Sequence, residues 1–204
     1  MRILLIRHAQ TEKNKAGIMQ SHNDSEITNE GFEQIKKIIS RLKKEKIDAI
    51  FCSSLGRAVK TAKEIARLKK LKLTVDDRLK ELNAGDFSTL PTKEMLRRWA
   101  EYYETKQREG IKRELIRPPN GENSFDHLKR IKSFLRDLIK DYNNKTVVIV
   151  GHSGTNKVII GALKKLDPDD FYSIEQKNAC INFLELDSEG NLVKAELNVV
   201  DHLR

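Results

Sequence analysis

Short apolar runs alternate along the chain with longer stretches whose apolar residues recur every three or four positions. Residues 2–7, 47–52, 71–75 and 146–150 are short and aliphatic and predict strands. Between them, Thr28–Lys44 puts Phe32, Ile35, Ile38, Ile39 and Leu42 on one face and predicts an amphipathic helix. Thr28 is its N-cap, and Gly31 three residues later rules out a capping box. Ser54 is expected to cap a helix through Arg57, Ala58, Thr61, Ile65 and Leu68. Pro91 opens a helix bearing Met95, Leu96, Trp99 and Tyr102, as suits a proline in the first turn. Phe125–Tyr142 is a further helix stopped by Asn143-Asn144, and another runs from Gly154 to about Leu163. Residues 179–187 and 192–200 read as a hairpin about Ser188-Glu189-Gly190. This order predicts an α/β fold. It has a mainly parallel central sheet, helices on both faces, an antiparallel edge strand and, from about 78 to 120, a helical insertion over the crevice. Residues 1–204 are expected to form one domain.

Composition narrows the class. The 204 residues are 38% hydrophobic, enough for one sizeable core. Mean hydropathy is −0.58, and no apolar run approaches the ~18 residues a membrane span needs. The first strand starts almost at Met1, so no signal peptide is expected and the chain reads as cytoplasmic, with no membrane partner. Cys52 and Cys180 lie in strand-like surroundings and read as buried free thiols, with no metal-ligand partner at close spacing. No metal and no cofactor are therefore expected. The formal charge of +9 would draw anions. Lys and Arg are nevertheless scattered among Glu on helical segments, without the aromatic platform of a single-strand binder, so a nucleic-acid partner is disfavoured. Homo-oligomerisation is left open by the sequence.

Three strand ends carry residues suited to an anion. Arg7-His8 follows the first strand: a guanidinium fork for phosphate oxygens beside an imidazole able to attack phosphorus. Alone, the pair reads as a capping arginine and a structural histidine. Ser53-Ser54-Leu55-Gly56-Arg57 follows the second strand and sets Arg57 in a first helical turn, where backbone amides and the dipole also favour an anion. Gly151-His152-Ser153-Gly154 follows the 146–150 strand, with Ser153 expected as a helix cap. In open α/β sheets ligands sit beyond the C-terminal strand ends, so these segments are expected to share one crevice.

Taken in order, the segments resemble the histidine phosphatase superfamily, which includes cofactor-dependent phosphoglycerate mutases and many small phosphatases. Leu5-Ile6-Arg7-His8-Ala9-Gln10-Thr11 with Asn14 resembles its nucleophile motif. Ile27–Gln34 resembles its threonine–glycine–glutamine helix start, and Ser53–Ala62 its second-arginine motif. Arg78–Phe87 resembles its acidic loop, Pro119-Asn120-Gly121-Glu122 its proline–glycine–glutamate stretch, and Val150-Gly151-His152 its second-histidine motif. The resemblance implies His8 as nucleophile, with Arg7, Arg57 and His152 around the phosphoryl group. It also implies Asn14 as a further donor and Glu81 as proton donor to the leaving alcohol, and Ser153 beside His152 is a further candidate for substrate contact. Departures are Ala9 for the usual glycine, whose Cβ is tolerable at a negative φ and otherwise crowds the phosphate pocket, Gln10 for glutamate, and Ser153 for glycine. Phe87-Ser88-Thr89 replaces Trp-Glu-Gly.

The implied reaction is hydrolysis of a small phosphomonoester. A phosphoglycerate mutase is the alternative. It would need a basic cluster in the insertion, and Arg97-Arg98 and Lys112-Arg113 do not match that pattern. A non-catalytic anion or nucleic-acid binder is weaker, because binding alone needs neither a nucleophile nor a proton donor.

Overall fold

Six strands form one sheet in the order β3-β2-β4-β1-β5-β6 in this computed structural model, which describes residues 1–204. β1 (Arg2–Arg7), β2 (Ala49–Cys52), β3 (Leu73–Val75) and β4 (Thr146–Gly151) are parallel. β5 (Ile181–Leu186) runs antiparallel to β1, and β6 (Leu192–Val199) closes that side as an antiparallel edge. β1 and β4 lie in the centre with their middles fully buried, as apolar runs covered on both faces must be.

Strand alternation divides β1 between two cores. Ile3 and Leu5 pack with Phe134 and Leu138 of α5 (Ser124–Asp141) and with Val158 and Ile159 of α6 (Ser153–Lys164). Leu4 and Ile6 pack with Ile38 and Leu42 of α2 (Asn29–Leu42) and with Ala58, Ala62 and Ile65 of α3 (Gly56–Lys69). Cys52 and Cys180 are free and buried. Burial pushes their thiols up to about 12 and about 11, which keeps both protonated and unreactive.

Several boundaries and faces differ from the sequence reading. Phe32 is 51% exposed, because the first turn of α2 is buried through Gly31 instead. Pro91 is the N-cap of α4 (Thr92–Arg108) and not its first residue, and Leu96 is 56% exposed. Met95 is the one buried residue of α4. The helix leans outward on a satellite cluster of Phe87, Trp99 and Tyr102 rather than on the main core. A four-residue helix, α1 (Glu12–Lys15), follows the first strand loop, closed by a Thr11–Asn14 capping box. Residues 168–173 form a 3-10 turn that buries Phe171, where Asp167-Pro168 predicted only a change of direction. The 78–120 segment consists of α4 and 3-10 turns at Asp77–Leu79, Gly85–Phe87 and Arg113–Leu115. No helix is long and apolar enough to cross a membrane.

Candidate active site

Arg7 and Gly151 are register partners at the ends of the adjacent parallel strands β1 and β4, and the His8 amide donates to the Gly151 carbonyl at 3.0 Å. His8 and His152 therefore leave the sheet side by side, with ring centroids 5.2 Å apart. His8 Nδ1 lies 2.7 Å from the Ala9 carbonyl, which can only accept. Nδ1 thus carries the proton, and Nε2 keeps a free lone pair.

The loop after His8 is anchored by the start of α2. Thr28 Oγ1 accepts from the Gly31 amide and donates to Gln10 Oε1, while Gln34 Oε1 accepts from the Gln10 amide. A Cβ on Gly31 would stand 2.2 Å from the Gln10 carbonyl oxygen, so the helix can approach this closely only with glycine there. The threonine, glycine and glutamine of that motif therefore all serve one neighbour, Gln10. Ala9 does not crowd the phosphate side. It is buried in a small apolar cluster with Ile27 and Ile35, and its Cβ is accounted for there.

Arg57 is buried and gripped on one edge by the loop after α1. Its Nη2 donates to Ser21 O at 2.8 Å, and its Nη1 donates to Asn23 O and Asp24 Oδ1, both at 3.0 Å. Asp24 also accepts from the amides of Gly56 and Arg57. The first turn of α3 is thus filled by a carboxylate of the protein, and Ser54, expected as its cap, bonds Asp77 instead. Ser21 pays for its place with a left-handed backbone (φ 48°), a conformation that costs a non-glycine residue about 1 kcal/mol or more. Arg7 donates through Nη1 to the Gln176 carbonyl at 2.6 Å.

The start of α6 is filled in the same way. His152 is its N-cap residue without capping it, and Ser153 is its first helical residue with no side-chain hydrogen bond, so the expected serine cap is absent. The Glu81 carboxylate takes that place: Oε2 accepts from the Gly154 amide at 3.0 Å and Oε1 from the Thr155 amide at 3.1 Å. A Cβ on Gly154 would sit 2.4 Å from Glu81 Oε1. Asn14 is tied to the same loop: its Oδ1 accepts from Asn178 Nδ2, which also donates to the His8 carbonyl. Arg7, His8, Arg57, His152 and Glu81 are thus brought to one place. Asn14 is linked to the His8 carbonyl through Asn178, and Ser153 is half-buried at the first position of α6.

Burial sets the electrostatics. It holds the His8 and His152 imidazoles well below the ordinary histidine range, and the nearby Arg7 and Arg57 guanidiniums push the same way. Burial also lowers both arginines, opposed first in each case by Glu81. Arg7 Nε, Arg57 Nε and both ring nitrogens of His152 are buried and make no hydrogen bond within the protein. A buried polar atom without a partner costs roughly 1–3 kcal/mol. The two guanidinium Nε donors and the single N–H of a neutral His152, beside the His8 ring, suit an anion.

Several residues at this site carry no local sequence signal. Gln176, Asp24 and Ser21 are joined to the arginines from distant parts of the chain. Arg130 braces the Glu81 loop from α5, donating to the carbonyls of Arg78 and Glu81 and to Glu122. Glu122 in turn accepts from the Asn83 amide, which gives the Pro119–Glu122 motif a role in holding that loop. Lys157 lies on α6 within electrostatic range of Glu81 and Arg7 and donates to the Tyr172 carbonyl. Motif spacing finds Glu122; the others become visible only in three dimensions.

The family model of the histidine phosphatase superfamily (branch 1) matches residues 3–198. Phosphoserine phosphatase 1 of Hydrogenobacter thermophilus is 30% identical over 203 residues, spanning 100% of this chain and 94% of that one. The 2,3-bisphosphoglycerate-dependent phosphoglycerate mutase of Bartonella henselae is 30% identical over 180 residues, 85% of this chain and 86% of its own. A solved structure of phosphoserine phosphatase from Entamoeba histolytica, in complex with 3-phosphoglyceric acid, is 27% identical with a TM-score of 0.85, covering 100% of this chain and 99% of that one. From β1 into β6, then, the chain belongs to branch 1 of the histidine phosphatase superfamily.

Proposed function

We propose that this histidine phosphatase hydrolyses phosphomonoesters of small alcohols through a phosphohistidine on His8. The observation that supports this most is the group of unpartnered buried donors on Arg7, Arg57 and His152 beside a His8 ring whose Nε2 is free. In this reading the guanidiniums and the His152 imidazole bind the phosphoryl oxygens, with Asn14 and Ser153 as further contacts. His8 Nε2 attacks phosphorus in line, so a P–N bond forms as the P–O ester bond breaks. A proton on the Glu81 carboxyl passes to the leaving oxygen, and Glu81 recovers it from the water that then cleaves the P–N bond. The whole chain acts as one domain, with the 78–120 segment bounding the entrance. None of these steps uses a metal, so turnover is expected to survive EDTA unchanged.

The mutase alternative is supported by the Bartonella relative and opposed by the charge pattern of the insertion. Arg97 and Arg98 are paired with Glu94, Arg97 also with Glu101, and Arg113 with Asp167 and Asp169. These cations are already neutralised at the surface and are poorly placed to grip a substrate carboxylate while it turns. The test is to incubate the protein separately with p-nitrophenyl phosphate, phosphoserine and 3-phosphoglycerate. Release of free phosphate, with an acid-labile phosphoenzyme on rapid quenching, is expected. Conversion of 3- to 2-phosphoglycerate with little free phosphate would overturn the hydrolase reading. Phosphoserine is the first alkyl ester to assay because of the Hydrogenobacter relative.

A further inference from the structure

Ser21 stands where the two sides of the pocket meet. It is buried, and its backbone is left-handed. Its carbonyl accepts from Arg57 Nη2 at 2.8 Å. Its hydroxyl donates to the Leu82 carbonyl at 3.1 Å and accepts from the Ala84 amide at 2.9 Å. One residue thus orients the phosphate-side arginine with its backbone and holds the loop that carries Glu81 with its side chain. His22 adds to the clasp, its Nε2 lying 2.8 Å from the Glu81 carbonyl. The hydroxyl's donor and one acceptor position are spent within the protein, which marks it as a strut and not a ligand group. Glycine is the residue that tolerates this backbone most cheaply, so the serine side chain is kept at a cost in strain.

We propose that Ser21 is a positioning residue for proton transfer, fixing the distance between the Glu81 carboxyl and the phosphoryl group held by Arg57. This rests on Glu81 as the proton donor. Rotating the Ser21 backbone would move the carbonyl that Arg57 grips, and removing the hydroxyl deletes its bonds to the Leu82 carbonyl and the Ala84 amide, one and three residues after Glu81. Arg130 still braces the far side of the loop through the Glu81 carbonyl, so the loop shifts without unfolding.

Ser21→Gly is the cleanest probe, because it relieves the backbone strain while deleting both side-chain bonds; Ser21→Ala deletes the bonds and keeps the strain. Turnover of an alkyl ester, glycerol 2-phosphate, is compared with that of p-nitrophenyl phosphate, whose leaving group needs little protonation. Both variants are expected to lose roughly tenfold or more in kcat on the alkyl ester, since a misplacement of about 1 Å can cost about a hundredfold. On the aryl ester the expected loss is under about threefold. In a Glu81→Gln background, adding Ser21→Gly should slow the alkyl ester no further, because both changes remove the same proton transfer. If Glu81→Gln is selective for the alkyl ester but Ser21→Gly slows both esters alike, or the two changes multiply, the Ser21 proposal fails and the proton-donor reading stands. If Glu81→Gln itself slows both esters equally, the proton-donor reading fails and takes the Ser21 proposal with it.

Discussion

At the scale of single residues, the site depends on atoms whose alternatives are closed off. His8 donates a hydrogen bond from Nδ1 to the Ala9 carbonyl, which leaves Nε2 as the ring nitrogen for the attack proposed above. His8→Ala is expected to lower kcat on the order of 10⁴-fold or more and to abolish the acid-labile phosphoenzyme, with an unchanged circular dichroism spectrum. Wild-type turnover by a purified sample of this variant would refute the assignment. Gly154→Ala places a methyl against Glu81 Oε1 and evicts that carboxylate from the amides of Gly154 and Thr155. Alkyl-ester turnover should fall about tenfold or more. Stability should change by no more than about 1 kcal/mol, because alanine's helix propensity offsets the lost cap. An alkyl-ester rate equal to wild type would show that this carboxylate position is dispensable. Arg7, His8, Arg57, Glu81 and His152 were all legible as motif residues. Asp24 and Ser21 were not, because their partners lie more than thirty positions away and no local pattern encodes the contact.

At the scale of elements, periodicity found the strands and the long helices because burial on a sheet face imposes it. It failed where burial is brief or one-sided. α1 has four residues and no period to read. Phe32 and Leu96 fall on apolar spacings yet face solvent, since the inward surface of each helix is set by what approaches it: Gly31 against Gln10 in α2, and an aromatic cluster in place of the main core in α4. The helix starts differ from expectation for a physical reason. Serines were expected to cap α3 and α6, and carboxylates from elsewhere in the chain do so. By contrast Thr28 caps α2 as its position predicted, and also ties it to Gln10. Thr28→Ala should therefore cost about 1–2 kcal/mol, at the upper end for a lost cap. Urea unfolding measures it, and a midpoint equal to wild type would remove the anchoring role.

At the scale of the whole molecule, the mainly parallel sheet with its antiparallel edge was legible from element order alone, because few topologies satisfy that order. Acid sensitivity was not, since it depends on how many histidines are sealed from water. His8, His127 and His152 are all buried, and burial keeps each well below its usual 6.5. Each binds a proton on unfolding once the pH drops below that unfolded value. Stability is therefore complete above about pH 6.5 and is lost as pH falls toward the folded values, at up to about 4 kcal/mol per pH unit for three groups. Urea midpoints at about pH 7.5, 6.5 and 5.5 test this. A flat profile would mean the rings are hydrated in solution. The chain's charge of +9 brings anions in, and the carboxylates of Asp24 and Glu81 bear on how they leave. Because the amides at the starts of α3 and α6 are already occupied by Asp24 and Glu81, they are not free to hold orthophosphate, and product release is expected to be fast. Asp24→Asn weakens one of those plugs and strips a counter-charge from Arg57, so competitive inhibition by inorganic phosphate should tighten as turnover slows.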